Sequence, residues 1–329
     1  TKAWIVHREA SLCLATVLQN CLASTMFATD DDEGDVRPPT NILKDTILHF
    51  DAAHTGPASI DTYFGADTPS ETRAALRDGL AARNELAAAL RTGAHKSIIS
   101  AAQRHLPVVM RLMATEAVLD ADDERKEPIH GRIKFQWGSV LDNRARSGVW
   151  ARNFAYADVV FTLVSLATSE VNQAREEIGA DVVAAYKSLR SAAGVFSFAQ
   201  SIVKANASKL SAYGKNTPPE LQAEVLAGMV DLCLAQAQQC MLWQAEKGGK
   251  KPKMLAMLAK GLGQCYRKAV DHFRGGLGPQ MSARIMETMG AMSDVSDALC
   301  HKYMSYHHTD AAEYGAAVWH ARKADRLMA

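Results

Sequence analysis

Apolar residues recur at helical spacing along most of this chain. Leu76, Leu80, Leu86 and Leu90, within an Ala/Leu/Arg-rich stretch from Glu71 to Leu90, keep near a period of about 3.6 residues and predict a helix opened by Pro69. A second helix is predicted from about Lys96 to Leu119, antiparallel to the first and stopped by the charged run Asp120 to Glu127 and by Pro128. Ile129 to Val140 instead alternates apolar with polar residues between glycines, the pattern of a strand, and a shorter strand-like stretch covers Ile42 to Phe50. From Trp150 the pattern is helical almost to the end, interrupted at Gly179, Gly214 to Pro219, Gly248 to Pro252 and Gly275 to Pro279. Helices separated by such short breaks form antiparallel hairpins, and stacked hairpins form an elongated solenoid. The predicted fold class is therefore mainly α, with a small β element near 42–50 and 129–140.

Two segments precede this pattern. Trp4 to Phe27 is apolar with scattered Ser and Thr and predicts a first helix. The acidic run Asp30 to Asp35 and Pro38-Pro39 cannot pack and predict a solvated linker. This divides the chain into residues 1–41, helix plus linker, and a helical domain over 42–329. No apolar run reaches the roughly 18 uninterrupted residues of a membrane helix, so a soluble chain is expected.

Charge narrows the choice of partner. With 37 bases against 36 acids, no global field draws the protein to a polyanion, and nucleic acid is not expected as a partner. Locally, Lys204 to Arg274 holds eleven bases against five acids, with its sharpest cluster at Lys247, Lys250, Lys251 and Lys253. That turn reads either as a solvated connection or as a basic surface for anionic lipid. The six cysteines show no C-x-x-C pair, and buried free thiols are expected rather than a structural metal.

No catalytic constellation emerges: there is no G-x-S-x-G elbow, phosphate loop, dinucleotide fingerprint or H-E-x-x-H pair. His301, His307 and His308 with Asp310 are the one histidine cluster and read as helix-end surface residues. His105 and His272 sit in amphipathic helices and need no special role. A non-enzymatic protein without cofactor or metal is expected.

Surface for binding is what remains. Over Glu220 to Glu246, at about 100° per residue, Leu221, Val225, Met229, Leu232 and Trp243 form one apolar stripe. Leu226, Val230, Cys233, Leu234, Ala237, Cys240 and Met241 form a second, and Glu220, Glu224 and Asp231 take the remaining third. A helix on a single layer buries little more than about 100°, and these stripes span about twice that. One stripe needs a second neighbour, either the next hairpin or an amphipathic helix seated in a groove.

Several blocks, in order, resemble the Bro domain family of adaptors in the endosomal sorting (ESCRT) machinery. They are Phe135-Gln-Trp137, Phe154 to Ser169, Ala184 to Phe196, Leu234-Ala-Gln-Ala-Gln238 with Ala259-Lys260 and Tyr266, and Glu313-Tyr314-Gly315 with Ala321. The chain departs from the family pattern at Ala155, Thr162 and Gln244, where members carry Glu, Asn and Lys. The resemblance implies a curved helical domain with tetratricopeptide-like hairpins and a small sheet at one end. It also implies a concave groove for the C-terminal helix of an ESCRT-III (charged multivesicular body protein) subunit. By position, Leu221, Val225, Met229 and Leu232 are the expected groove residues. The implied function is a cytoplasmic adaptor peripheral to endosomal or other remodelled membranes; the alternative is a scaffold of the same fold that has lost ESCRT binding.

Overall fold

The computed structural model describes residues 70–122, 135–141, 149–152, 155–208, 217–276 and 283–328, together with Ile47, Phe50, Ala53 and Thr55. The helix and linker predicted over 1–41 lie outside the described residues. Among the described residues eight α-helices follow one another: α1 (Ser70–Thr92), α2 (His95–Asp122), α3 (Ala155–Glu177), α4 (Val182–Ala205), α5 (Ala223–Lys247), α6 (Pro252–Gly276), α7 (Ala283–Asp310) and α8 (Tyr314–Met328). Each packs chiefly on its neighbours in sequence, the arrangement of a helical solenoid.

Local chemistry sets the turns. Gly93, at φ +69°, follows α1 and closes it by donating to the carbonyls of Ala89 and Leu90. Asp181 caps α4, its carboxylate accepting from Val183 N and Ala184 N. After α5, Gly249 stands at φ +62°, Gly249 N donates to Glu246 O and Lys250 N to Ala245 O, which is a Schellman closure. The same closure ends α7 with no glycine: Ala312 takes φ 59°, Ala312 N bonds Thr309 O and Glu313 N bonds His308 O. The pattern along the chain shows no break there, since neither Gly nor Pro marks it.

α3 is the central helix, with 18 of its 23 residues buried. Its polar members survive burial by bonding back within the helix: Thr162 to Asp158 O, Ser165 to Phe161 O and Thr168 to Val164 O. Asn172 uses its amide differently. Phe50 N donates to Asn172 Oδ1 at 3.0 Å and Asn172 Nδ2 donates to Phe50 O at 2.7 Å, so one side chain satisfies both backbone groups of a residue 122 positions away.

The sheet corrects the strand expectations. β1 (Phe135–Gly138) pairs antiparallel with β2 (Val149–Arg152), Phe135 opposite Arg152 and Trp137 opposite Trp150. Residues 129–134 of the expected strand lie outside the described residues. β2 falls where helical pattern was expected to begin; helix starts only at Ala155. Within the expected strand at 42–50, Ile47 and Phe50 are buried but belong to no strand, because Asn172 takes the place of a neighbouring strand for Phe50. The bridge to the sheet is made instead by Thr55, opposite Trp137.

α5 is long and apolar enough to cross a membrane by length and composition, although no such run is uninterrupted in the sequence. Most of its apolar surface is buried between α4 and α6, as in the core helix of a solenoid.

Candidate partner-binding surface

A buried polar cluster fixes the sheet to the helices. Asp158 is fully buried, and its Oδ1 accepts from Arg83 Nε at 3.3 Å, Arg83 Nη2 at 3.1 Å and Trp137 Nε1 at 2.7 Å. Its Oδ2 accepts from His105 Nε2 at 2.8 Å. Burial opposes ionisation of Asp158, but the Arg83 guanidinium, His105 and the Trp137 N–H outweigh it and hold the carboxyl well below the usual range. Trp137 stacks on Phe161 at 5.4 Å, and Arg83 lies over the rings of Phe135 and Trp137. All four polar members are 0–3 % exposed, so the cluster joins α1, α2, α3 and β1 and offers no opening to a substrate. His105, read from sequence as needing no role, is a member of it.

Glu220 is a second correction. Expected on the polar face of a helix, it lies fully buried in a short 3-10 turn (Pro219–Leu221) ahead of α5. Its Oε1 accepts from Ser139 Oγ at 2.7 Å, Val140 N at 2.8 Å and Leu141 N at 3.2 Å, gathering the donors that leave β1. Burial raises its pKa above the ordinary glutamate value, against the pull of those donors.

The expected groove residues are core. Leu221, Val225, Met229 and Leu232 are 2, 0, 0 and 1 % exposed. α6 approaches α5 through glycines: a Cβ on Gly228 would stand 2.8 Å from the Phe273 ring, and one on Gly276 would stand 2.9 Å from Val225. That closeness seals the stripe, which in this conformation forms no accessible wall. The second stripe is also largely core, with Leu226, Cys233, Ala237 and Cys240 buried; only its outer edge is accessible, where Val230 and Leu234 are half-buried and Met241 exposed, with half-buried Leu258 of α6 beside them. Gln238, between Leu234 and Met241, donates to Leu258 O at 3.4 Å.

Lys247, Lys250, Lys251 and Lys253 are all exposed at the end of the α5–α6 hairpin. The thiols are free: Cys233 and Cys240 are buried, Cys265 and Cys300 half-buried. Burial pushes all four up, Cys240 to about 12, so none is a ready nucleophile or thiolate ligand. Cys13 and Cys21 lie outside the described residues.

The histidine cluster is larger than the sequence suggested, because α8 folds back on α7. His301 Nδ1 and His320 Nδ1 are 2.8 Å apart, His308 stacks on His320 at 5.2 Å, and His308 Nδ1 bonds Glu313 Oε2 at 2.6 Å. Trp319 stands edge-on to both His301 and His320. Asp310 is exposed.

Similarity to known proteins decides the family. The BRO1-like domain profile matches residues 60–329. The chain belongs to the BRO1-like domain family. No curated protein matches it. Among solved structures, this Bro domain is similar to the ALIX BRO1 CHMP4C complex, with a TM-score of 0.66 and 14% identity over 86% of this chain and 79% of that one. It is also similar to ALIX in complex with the SIVmac239 PYKEVTEDL late domain (0.65, 16%), covering 86% of this chain and 40% of that one. A third neighbour is described as the structure basis for endosomal targeting by the Bro1 domain (0.65, 16%), covering 85% and 76%. At these identities the likeness is one of fold.

Proposed function

We propose that this Bro domain is a non-enzymatic adaptor of the ESCRT machinery that receives the amphipathic C-terminal helix of an ESCRT-III subunit, on membranes where it is cytoplasmic and peripheral. The observation that carries this reading is the family match over residues 60–329, joined to a fold shared with an ALIX BRO1 domain in complex with CHMP4C. Within the chain, Val230, Leu234 and Met241 of α5 with Leu258 of α6 supply an apolar strip of the kind an amphipathic helix covers at i, i+3/i+4 spacing. A synthetic ESCRT-III C-terminal helix titrated against the protein tests it. Binding is expected, and Leu234→Asp should weaken it by about two decades by placing a carboxylate under the apolar face.

The second reading, a scaffold of the same fold without ESCRT binding, is favoured by one observation: Leu221, Val225, Met229 and Leu232 are sealed in the core. Absence of any binding to the helix, with the fold intact, selects it.

A further inference from the structure

From Lys247 to Val270 the chain carries seven bases and no acid. The acid just before this span, Glu246, is hydrogen-bonded to Tyr303 of α7. Lys247, Lys250, Lys251 and Lys253 therefore stand together, exposed, around a turn held in shape by the Schellman closure at Gly249. Lys247 Nζ lies 4.9 Å from the ring of Trp243, which fixes one of these charges beside an aromatic surface.

Methionines accompany the lysines. Met257 is 69 % exposed, Met254 48 % and Met241 42 %. Met254 and Met257 share a face of α6 at i, i+3, and the Gln238–Leu258 hydrogen bond places Met241 of α5 level with Met257. At about 1.5 Å per residue, all three lie within roughly 10 Å of the hairpin end.

Large apolar side chains rimmed by lysines, with no acid in their own span, fit the boundary between anionic headgroups and acyl chains. An interfacial element enters that boundary to a depth of about 5–10 Å. Methionine suits it because an unbranched, polarisable chain adapts to a fluid medium, and lysine stems reach outward to the headgroups. A helix partner needs two walls, whereas a hairpin end presents itself to a planar medium. We infer that the α5–α6 hairpin end is a lipid-docking tip. Lys247, Lys250, Lys251 and Lys253 contact anionic headgroups, and Met254 and Met257 enter the acyl boundary. This surface borders the α5 strip proposed for a helix at Met241, but none of the residues assigned to lipid belongs to that strip, and neither reading depends on the other.

Cosedimentation of the whole chain with phosphatidylcholine vesicles, with and without phosphatidylserine, tests it. Binding is expected only to the phosphatidylserine vesicles, fading with salt. The triple substitution Lys250→Gln, Lys251→Gln, Lys253→Gln should lower it roughly a hundredfold, at about fivefold per lysine. Met254→Ser with Met257→Ser should lower it about tenfold at unchanged charge. Both variants should keep the parent melting temperature, since every changed side chain is exposed, and Leu234→Asp should keep vesicle binding. Equal binding to neutral vesicles, or phosphatidylserine binding that survives either set of substitutions, overturns the proposal. Capture of an acidic amphipathic peptide by these lysines, with no vesicle binding, overturns it equally.

Discussion

Trp137 donates its indole N–H to Asp158 at 2.7 Å, and through that bond the strand carrying Trp137 is keyed to the most buried helix of the domain. Asp158 holds Arg83 and His105 as well, so a single carboxylate joins four elements. An ionised carboxylate only accepts, and His105 Nε2 must therefore be the donor in their contact.

Removing that carboxylate takes from a buried guanidinium its ion pair with Asp158 and the two hydrogen bonds that go with it. Asp158→Asn should cost about 3–5 kcal/mol, read by denaturant unfolding. Arg83→Met paired with Asp158→Asn should cost less than the two single changes summed. Because the folded Asp158 is more acidic than an unfolded aspartate near about 3.9, its contribution is fully present above that pH. It is lost only as pH falls through the depressed folded value, and the parent should outlast Asp158→Asn down to that range.

Leu232 and Leu234 of α5 make opposite predictions. Leu232→Asp buries a charge between α5 and α6 and should cost about 4 kcal/mol or more, visible as a large drop in melting temperature. Leu234→Asp, on the half-exposed side, should melt within a few degrees of the parent. Equal destabilisation by both would place Leu234 in the core as well.

Acid should loosen the α7–α8 pair. His301 is held below the ordinary histidine value by burial and then by Lys323, against Asp297; His320 is held below it by burial, His301 and His308. For bases with depressed folded values, the unfolded chain takes up protons first. Stability is then complete above the unfolded value near about 6.5 and is lost as pH falls below it. Melting temperatures followed from neutral to mildly acidic pH should decline, and His320→Gln should flatten the decline.

Backbone strain at the α7–α8 turn should be removable. Ala312 sits at φ 59°, where an L residue pays roughly 1–2 kcal/mol, so Ala312→Gly should raise stability by up to about 1 kcal/mol after the entropy of the unfolded chain is counted. Gly249→Ala should do the reverse at the hairpin end. A Cβ there meets nothing within 4 Å, which leaves backbone conformation as the whole cost.

The helices and most of the turns were legible because each carries its own local signal: leucines at helical period in α1, and glycines at 179 and 248–249. The turn at Ala312 was not, since alanine gives no sign that it will adopt a left-handed conformation. The width of the apolar arc on α5 was readable, yet which of its residues remain accessible was not. Both stripes are apolar and both are largely buried: Gly228 and Gly276 let α6 close on the first, and of the second only Val230, Leu234 and Met241 keep any exposure. β2 escaped notice because four residues running straight into α3 leave no alternation to detect. Glu220 looked solvated for a related reason: its partners Ser139, Val140 and Leu141 lie about 80 positions away, and helical projection knows only neighbours in sequence.

The region of family likeness begins at residue 60, yet the folded unit begins earlier. Asn172 holds both backbone groups of Phe50, and Thr55 accepts from Arg83 Nη2 at 2.9 Å while donating to Gln136 O at 2.6 Å. Ile47, Phe50 and Ala53 fill the core beside them. A protein trimmed to the homologous span would orphan a buried amide in the central helix, deprive the Arg83 guanidinium of an acceptor and open an apolar notch where Phe50 had been. Recombinant fragments should therefore start ahead of Ile47, because the border drawn by common ancestry falls inside the border drawn by packing.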